Sequence, residues 1–375
     1  MIVKIEDVGF NNKGAALMLY AIIAQLKQHY GENVKIVTEN YFNDFQQFAS
    51  LDLYKEASFQ RYKIKWHNFI SEKQLLNNRL VKPSQIDVVL NASGFSVGDI
   101  WYPNSKNHYQ NRLAKYKIYK KSGAKIIYLP QAFGAFTKPE VIDYCQALEK
   151  YVDVFFAREK VSYGYLQPII SSDKVKLFPD FTNLLDVTEA YAKANKYVVI
   201  IPNTKMISTT KYTEEDYINF LKNTADYVHS KGYELVLLNH EGPHDEKLLE
   251  KLSGLLDFSH TIETNKNAIE VKQIIKSAYA VISSRFHGAV SSLCQGVPLL
   301  VTSWSHKYGE LLMDYNQEQC MMDVMDKESK NHLLLEKILS ESSNKEIRTV
   351  LHNNSIAQKE LTQKMWSEVF KIIEK

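Results

Sequence analysis

Ala280-Val281-Ile282-Ser283-Ser284-Arg285-Phe286-His287-Gly288-Ala289, continuing to Gly296-Val297-Pro298, is the segment from which the architecture can be built. The apolar run 280–283 reads as a buried strand and the serines as a polar turn. A helix is expected from about Phe286 to Gln295, and Gly296-Val297-Pro298 leads into another strand. Strand, turn, helix and strand in that order make the βαβ unit of a parallel sheet. The alternation extends outward in both directions. Strands are expected at 2–8, 34–38, 87–91, 125–129, 154–157, 197–201, 234–238, 280–283 and 299–302, with helical period in most intervals. At 213–216, Thr-Glu-Glu-Asp supplies a capping box. Ile218, Leu221, Ala225 and Val228 then give one apolar stripe, and Gly232 ends the helix.

A chain of 375 residues exceeds what one core usually serves, so two domains are expected. The alternation restarts near residue 196, after a segment carrying Asp180, Asn183 and Asp186. We therefore place one α/β domain at 1–190 and a second at 191–346. The remainder, 347–375, reads as a helical tail that can cross back onto the first domain. Residues 61–80 are polar, aromatic and without a clear period, and receive no assignment.

The composition, 45% hydrophobic and 24% charged, is that of an ordinary globular protein. A net charge of +3 gives no reason to expect nucleic-acid binding, while leaving room for a local basic pocket. Most of the 23 tyrosines are expected to be structural, although sugar sites use Tyr often. Cys145, Cys294 and Cys320 are widely spaced and form no CxxC pair, which argues against a disulfide framework or structural zinc. The start of the chain lacks a signal-peptide pattern, and no window approaches about 20 consecutive apolar residues. A cytoplasmic protein without a membrane span is expected.

In open α/β sheets ligands bind beyond the carboxyl ends of the strands. Arg285 and His287 stand at such an end, where free N–H groups and the helix dipole favour an anion, and Gly288 allows a ligand close to the backbone. The turn alone supports two readings equally: a phosphate or carboxylate site, or an Arg285 paired with a neighbouring carboxylate beside a merely capping His287. Asn203, in Pro202-Asn203-Thr204-Lys205, and Asn239, His240 and Glu241 follow other strands and are expected to line the cleft. His240 and His244 have i,i+4 spacing, but Gly242-Pro243 between them precludes the helical turn that a metal pair needs, so no metal is expected.

Taken in order, further blocks carry a family resemblance. They are Gly9-Phe10-Asn11-Asn12-Lys13-Gly14, Asn91-Ala92-Ser93-Gly94, Tyr128-Leu129-Pro130-Gln131-Ala132-Phe133-Gly134, Phe156-Ala157-Arg158-Glu159-Lys160-Val161-Ser162 and Phe178-Pro179-Asp180. With Ser-Ser-Arg-Phe-His-Gly and Gly-Val-Pro, they make the chain resemble the polysaccharide pyruvyl transferase family from the first strand to about Leu311. That resemblance implies a GT-B-like fold, two Rossmann-like domains with parallel sheets facing a central cleft, and a ketal-forming pyruvyltransferase. Phosphoenolpyruvate is the implied donor, phosphate leaves, and a saccharide accepts, in cell-surface polysaccharide biosynthesis. Arg158, Arg285, His287 and Lys307 match positions that hold or activate the donor, with Gly288 beside them, and His287 with Arg285 is the catalytic pair. Asn11, Lys13, Gly94 and Gln131 fall on the acceptor side, in the first domain. Asp180 could serve as a base or as a structural partner of Arg158, and the structural role is expected. No cofactor beyond the co-substrate is implied. If the acceptor is lipid-linked, the protein works at the inner membrane face.

Two departures from the family pattern concern the acceptor: Ala15-Ala16, where many relatives carry an acid, and Ala92-Ser93 in place of part of a Gly-Gly pair. Two rival readings share the scaffold: a GT-B glycosyltransferase using a nucleotide sugar, and a non-catalytic saccharide-binding subunit.

Overall fold

Short β-branched strands separated by capped amphipathic helices build two α/β units, seen here in a computed structural model. It describes all residues except 39–44, 58–59, 62–63, 66–68, 189–190, 192, 194–195 and 327–328. Part of the unassigned stretch 61–80 thus lies outside the described residues. Within the rest of it are the strand Ile64–Lys65 and the helix Glu72–Asn77, with the strands Gln60–Arg61 and Leu80–Val81 at its two ends.

The first unit comprises Met1–Phe10, Met18–Phe181 and Leu361–Lys375. Its strands are β1 (Ile2–Glu6), β2 (Lys35–Thr38), β3 (Tyr54–Glu56), β4 (Gln60–Arg61), β5 (Ile64–Lys65), β6 (Leu80–Val81), β7 (Val88–Asn91), β8 (Phe95–Val97), β9 (Lys125–Phe133), β10 (Val154–Ala157) and β11 (Val175–Leu177). Nine of them form one sheet in the order β11-β10-β9-β7-β1-β2-β3-β6, with β8 on β9. All its pairs are parallel, Val3 lying opposite Val88 and Ile36 at the centre. The strand order reverses between β1 and β7, so the loops after them flank the crevice where such sheets bind ligands.

Charges are buried within β1. Lys4 donates to Glu56 at 2.5 Å and to the Tyr119 hydroxyl at 2.7 Å, while Tyr116 donates to Glu6 at 2.8 Å. Buried charges persist only when paired in this way. The helix Lys106–Lys121 buries Tyr109, Arg112, Tyr116 and Tyr119, one face at helical spacing.

The second unit comprises Asn11–Leu17 and Thr182–Glu360. Its sheet has the order β14-β13-β12-β15-β16, with β12 (Tyr197–Ile201), β13 (Glu234–Leu238), β14 (Thr261–Glu263), β15 (Ala280–Ser283) and β16 (Leu299–Val301). Every pair is parallel; Val199 lies opposite Val236 on one side and Val281 on the other. β12 and β15 are buried throughout, the expected pattern for a sheet covered by helices on both faces. The capping box opens the helix Glu214–Ser230, whose Ile218, Leu221, Ala225 and Val228 are buried. In this sheet the order reverses between β12 and β15.

The junction drawn from the sequence after residue 190 differs from the division between Phe181 and Thr182. The C-terminal helix runs Glu341–Ile373, and its residues from Leu361 onward count with the first unit. Among the described residues, no helix is long and apolar enough to cross a membrane.

Candidate functional site

In the second unit, the carboxyl ends of β13 and β15 carry His240, Glu241, Arg285 and His287, four of the residues singled out in the sequence. After β15, the Ser283 hydroxyl accepts the Arg285 N–H at 3.1 Å and donates to the Arg285 carbonyl at 2.9 Å. This closed turn presents Arg285 just ahead of the helix Phe286–Leu293. The Asn203 amide donates to the Ser284 carbonyl at 2.9 Å and its oxygen accepts the Lys205 N–H at 2.9 Å, tying the β12 and β15 loops together.

Both carboxylates beside Arg285 engage it. Its Nε donates to Asp245 Oδ2 at 2.7 Å, Nη2 pairs with the same oxygen, and Nη1 pairs with Glu241 Oε2. Asp245 is fully buried and also accepts the Thr204 N–H and hydroxyl at 3.1 and 3.2 Å. Burial pushes the Asp245 carboxyl up, against the pull of the Thr204 donors, and lowers the Arg285 guanidinium to about 10. Arg285 therefore stays charged at neutral pH. The paired reading of Arg285 is realised in the structure.

Glu241 joins a second structure. Its Oε1 accepts the Asn12 amide at 2.9 Å, and the Asn12 oxygen accepts the Gly14 and Ala15 N–H groups at 2.9 and 3.2 Å. Asn12 thereby caps the helix Lys13–Tyr30. The Lys13 N–H bonds the His240 carbonyl at 3.3 Å. Gly14 is dictated by space: a Cβ there would lie 2.2 Å from His287 Nδ1.

His240 is 2% exposed, and its Nε2 has no hydrogen-bond partner among the described residues. Burial, then the charges of Arg285, His287 and Lys13, hold its pKa well below the usual imidazole value, so it is neutral. The Phe286 ring meets His287 edge-on at 5.5 Å. The Lys307 ammonium lies 4.4 Å from the Trp304 ring centre, 5.3 Å from that of Phe286 and 5.8 Å from that of Tyr308. A cavity of about 710 Å³ opens beside Arg285, with Asn11, Asn12, Thr204, Lys205 and Glu241 on its wall.

Several expected roles change. Gly288 has a packing role, because a Cβ there would meet the Ser283 hydroxyl at 2.7 Å and Ile201 at 3.0 Å. Asn203 and Asn239 are buried, Asn203 bridging two loops and Asn239 accepting the Glu241 N–H at 3.2 Å. In the first unit, Gln131 lies inside β9, fully buried, and donates to Asn91 at 3.0 Å. Gly94 holds the left-handed turn that follows β7, with φ +70°. Arg158, at the end of β10, is nearly buried and pairs with Asp180 at 3.1 Å. Glu159 caps the next helix through the Ser162 N–H at 2.9 Å, so this block acts locally as a clasp.

The sequence reading missed Asn12, Thr204 and Asp245 in the second unit. It also missed an Asp7, His108 and Arg112 cluster in the first. There Arg112 bonds Asp7 at 2.5 Å and His108 at 2.6 Å, and Asn91 donates to Asp7 at 2.8 Å. One signal was available: Asp7 is the first residue beyond β1, at the point where the strand order reverses. Among the described residues, no group of three or more His, Cys, Asp or Glu could hold a metal ion.

The chain resembles the UDP-GlcNAc 2-epimerase of Neisseria meningitidis, solved bound to UDP-GlcNAc, with 14% identity, TM-score 0.61, and 99% of this chain and 100% of that one covered. It also resembles a glycosyltransferase of Rickettsia africae, with 13% identity, TM-score 0.61, and 100% and 98% covered. Identities this low speak for the fold alone, which is GT-B-like. No curated protein matches the sequence. The family model for polysaccharide pyruvyl transferase matches residues 12–306, a span containing every Arg285 partner, so the chain belongs to the polysaccharide pyruvyl transferase family.

Proposed function

We propose that this protein transfers the pyruvyl group of phosphoenolpyruvate to two hydroxyls of one saccharide, forming a ketal and releasing phosphate, in cell-surface polysaccharide biosynthesis. The observation that supports the reading is the Arg285 guanidinium, set at the carboxyl end of β15 just ahead of the helix Phe286–Leu293 and on the wall of the cavity. A planar cationic fork at a helix N-terminus suits a carboxylate or a phosphate, and phosphoenolpyruvate has both.

In the proposed reaction His287 delivers a proton to the methylene carbon, and a saccharide hydroxyl attacks the resulting cationic centre. Phosphate leaves, neutralised by Arg285 and Lys307. The second hydroxyl then closes the ring. Two hydroxyl protons are released; one restores the acid and the other leaves on phosphate. Arg158 is assigned to the donor by family position. No cofactor or metal enters this scheme.

The test is calorimetric titration with phosphoenolpyruvate, UDP and GDP, repeated on Arg285→Ala. Phosphoenolpyruvate is expected to bind, the variant to lose about tenfold or more in affinity, and the nucleotides to be silent. Nucleotide binding without phosphoenolpyruvate binding would replace this reading with nucleotide-sugar glycosyl transfer. Saccharide binding with neither would indicate a non-catalytic subunit.

A further inference from the structure

Arg285 has both edges of its guanidinium occupied, and the two occupants differ. Asp245 is fully buried and holds Nε and Nη2 while its other oxygen is fixed by Thr204. Removing it would strand a buried charge, so this edge is permanent. Glu241 holds only Nη1, and its side chain is 36% exposed on the wall of the cavity. Its second oxygen is steadied by the Asn12 amide at 2.9 Å. An exposed carboxylate exchanges its guanidinium for water at small cost, whereas a buried one does not.

On the reading that the substrate is anionic, we propose that Glu241 is a resident substitute for the substrate's anion. Its carboxylate occupies the place on Arg285 that a carboxylate or phosphate of the substrate takes. Asp245 is the positioning residue that keeps the far edge of the guanidinium fixed during the exchange. The Asn12 amide, released from Glu241 in that exchange, is then free to bond the incoming ligand. Glu241 thereby sets the affinity threshold for every ligand that uses Arg285.

Direct competition makes a distinctive demand: removing the competitor tightens every anion that uses Arg285 by the same factor, whatever the rest of the ligand. Phosphoenolpyruvate and inorganic phosphate are titrated by calorimetry into the full-length wild type, Glu241→Gln, Arg285→Ala and the double variant. Asn12→Ser serves as a second route, since Ser still caps the helix but no longer holds Glu241. Glu241→Gln is expected to tighten both anions by the same factor, about two- to tenfold, and Asn12→Ser by less. In the Arg285→Ala background the Glu241 substitution should change nothing. Unchanged or weaker anion binding in Glu241→Gln, with its thermal midpoint kept, would overturn the proposal. So would a gain that survives the loss of Arg285. Should phosphate tighten as expected while phosphoenolpyruvate binds no variant, the substitution mechanism stands and the pyruvyl-transfer reading falls. Phosphoenolpyruvate binding that is indifferent to Glu241 removes the substitution mechanism and leaves pyruvyl transfer standing. If neither anion binds any variant, both fall.

Discussion

At the scale of single residues, the absence of a Cβ at Gly14 is as consequential as any charge. Gly14→Ala puts a methyl group 2.2 Å from His287 Nδ1, so the imidazole must move. Ala otherwise suits a helix, so we expect the thermal midpoint to hold while turnover falls about a hundredfold. His287→Gln should flatten the alkaline limb of the pH–rate profile and cost about 10²- to 10⁴-fold. Away from the site, Lys4 and Glu56 test the buried pair. Burial would raise the Glu56 carboxyl, but the Lys4 charge and the bonds from Lys4 and Tyr119 outweigh it, leaving its pKa below the ordinary value. Its contribution is therefore present above the unfolded-state pKa and lost as pH falls through the lower folded one. Glu56→Gln should cost about 1–2 kcal/mol in urea denaturation at neutral pH, because Lys4 keeps Glu6 at 3.7 Å and the Tyr119 hydroxyl. The gap to wild type should narrow below about pH 4. Arg285 and His287 were legible in the sequence because a strand-to-helix turn announces itself locally. Asp245 was not: an acid in the first turn of a helix ordinarily reads as dipole compensation, and its partner lies 40 residues away.

At the scale of elements, strands declared themselves where Val and Ile formed a continuous apolar run, as at Val198–Ile201 in β12 and Val281-Ile282 in β15. Reading failed where burial was achieved by pairing or by amphipathic aromatics. The helix Lys106–Lys121 shows little apolar period because its core face is made of three Tyr and one Arg. β9 continues through Pro130 and Gln131 to Phe133, beyond the strand expected at 125–129, and its Gln is interior. β14 and β11, at sheet edges, are too short and mixed to give a pattern. Helix-to-strand closeness in the second unit depends on Gly288. Gly288→Ala is expected to overpack Ser283 and Ile201 and cost about 1–3 kcal/mol in chemical denaturation, with Gly288→Val worse.

For the molecule as a whole, the α/β alternation correctly implied two units of one class, yet their exact membership was not readable. It depends on contacts between segments hundreds of residues apart, which no local window reports. The C-terminal helix shows why. Met365, Trp366 and Val369 are buried in the first unit, and the Trp366 ring meets Phe181 edge-on at 6.2 Å. Trp366→Ala should therefore destabilise the first unit by about 3–5 kcal/mol, measured by the loss of amide protection in β1, β7 and β9 during hydrogen exchange. The segment Asn11–Leu17, which belongs with the second unit although its neighbours on both sides belong to the first, carries a practical lesson for recombining relatives. A chimera that transplants only 182–360 leaves one parent's Asn12 and Gly14 to meet the other parent's Glu241 and His287. The heritable module for this half of the enzyme is discontinuous, and a viable graft has to bring 11–17 with it.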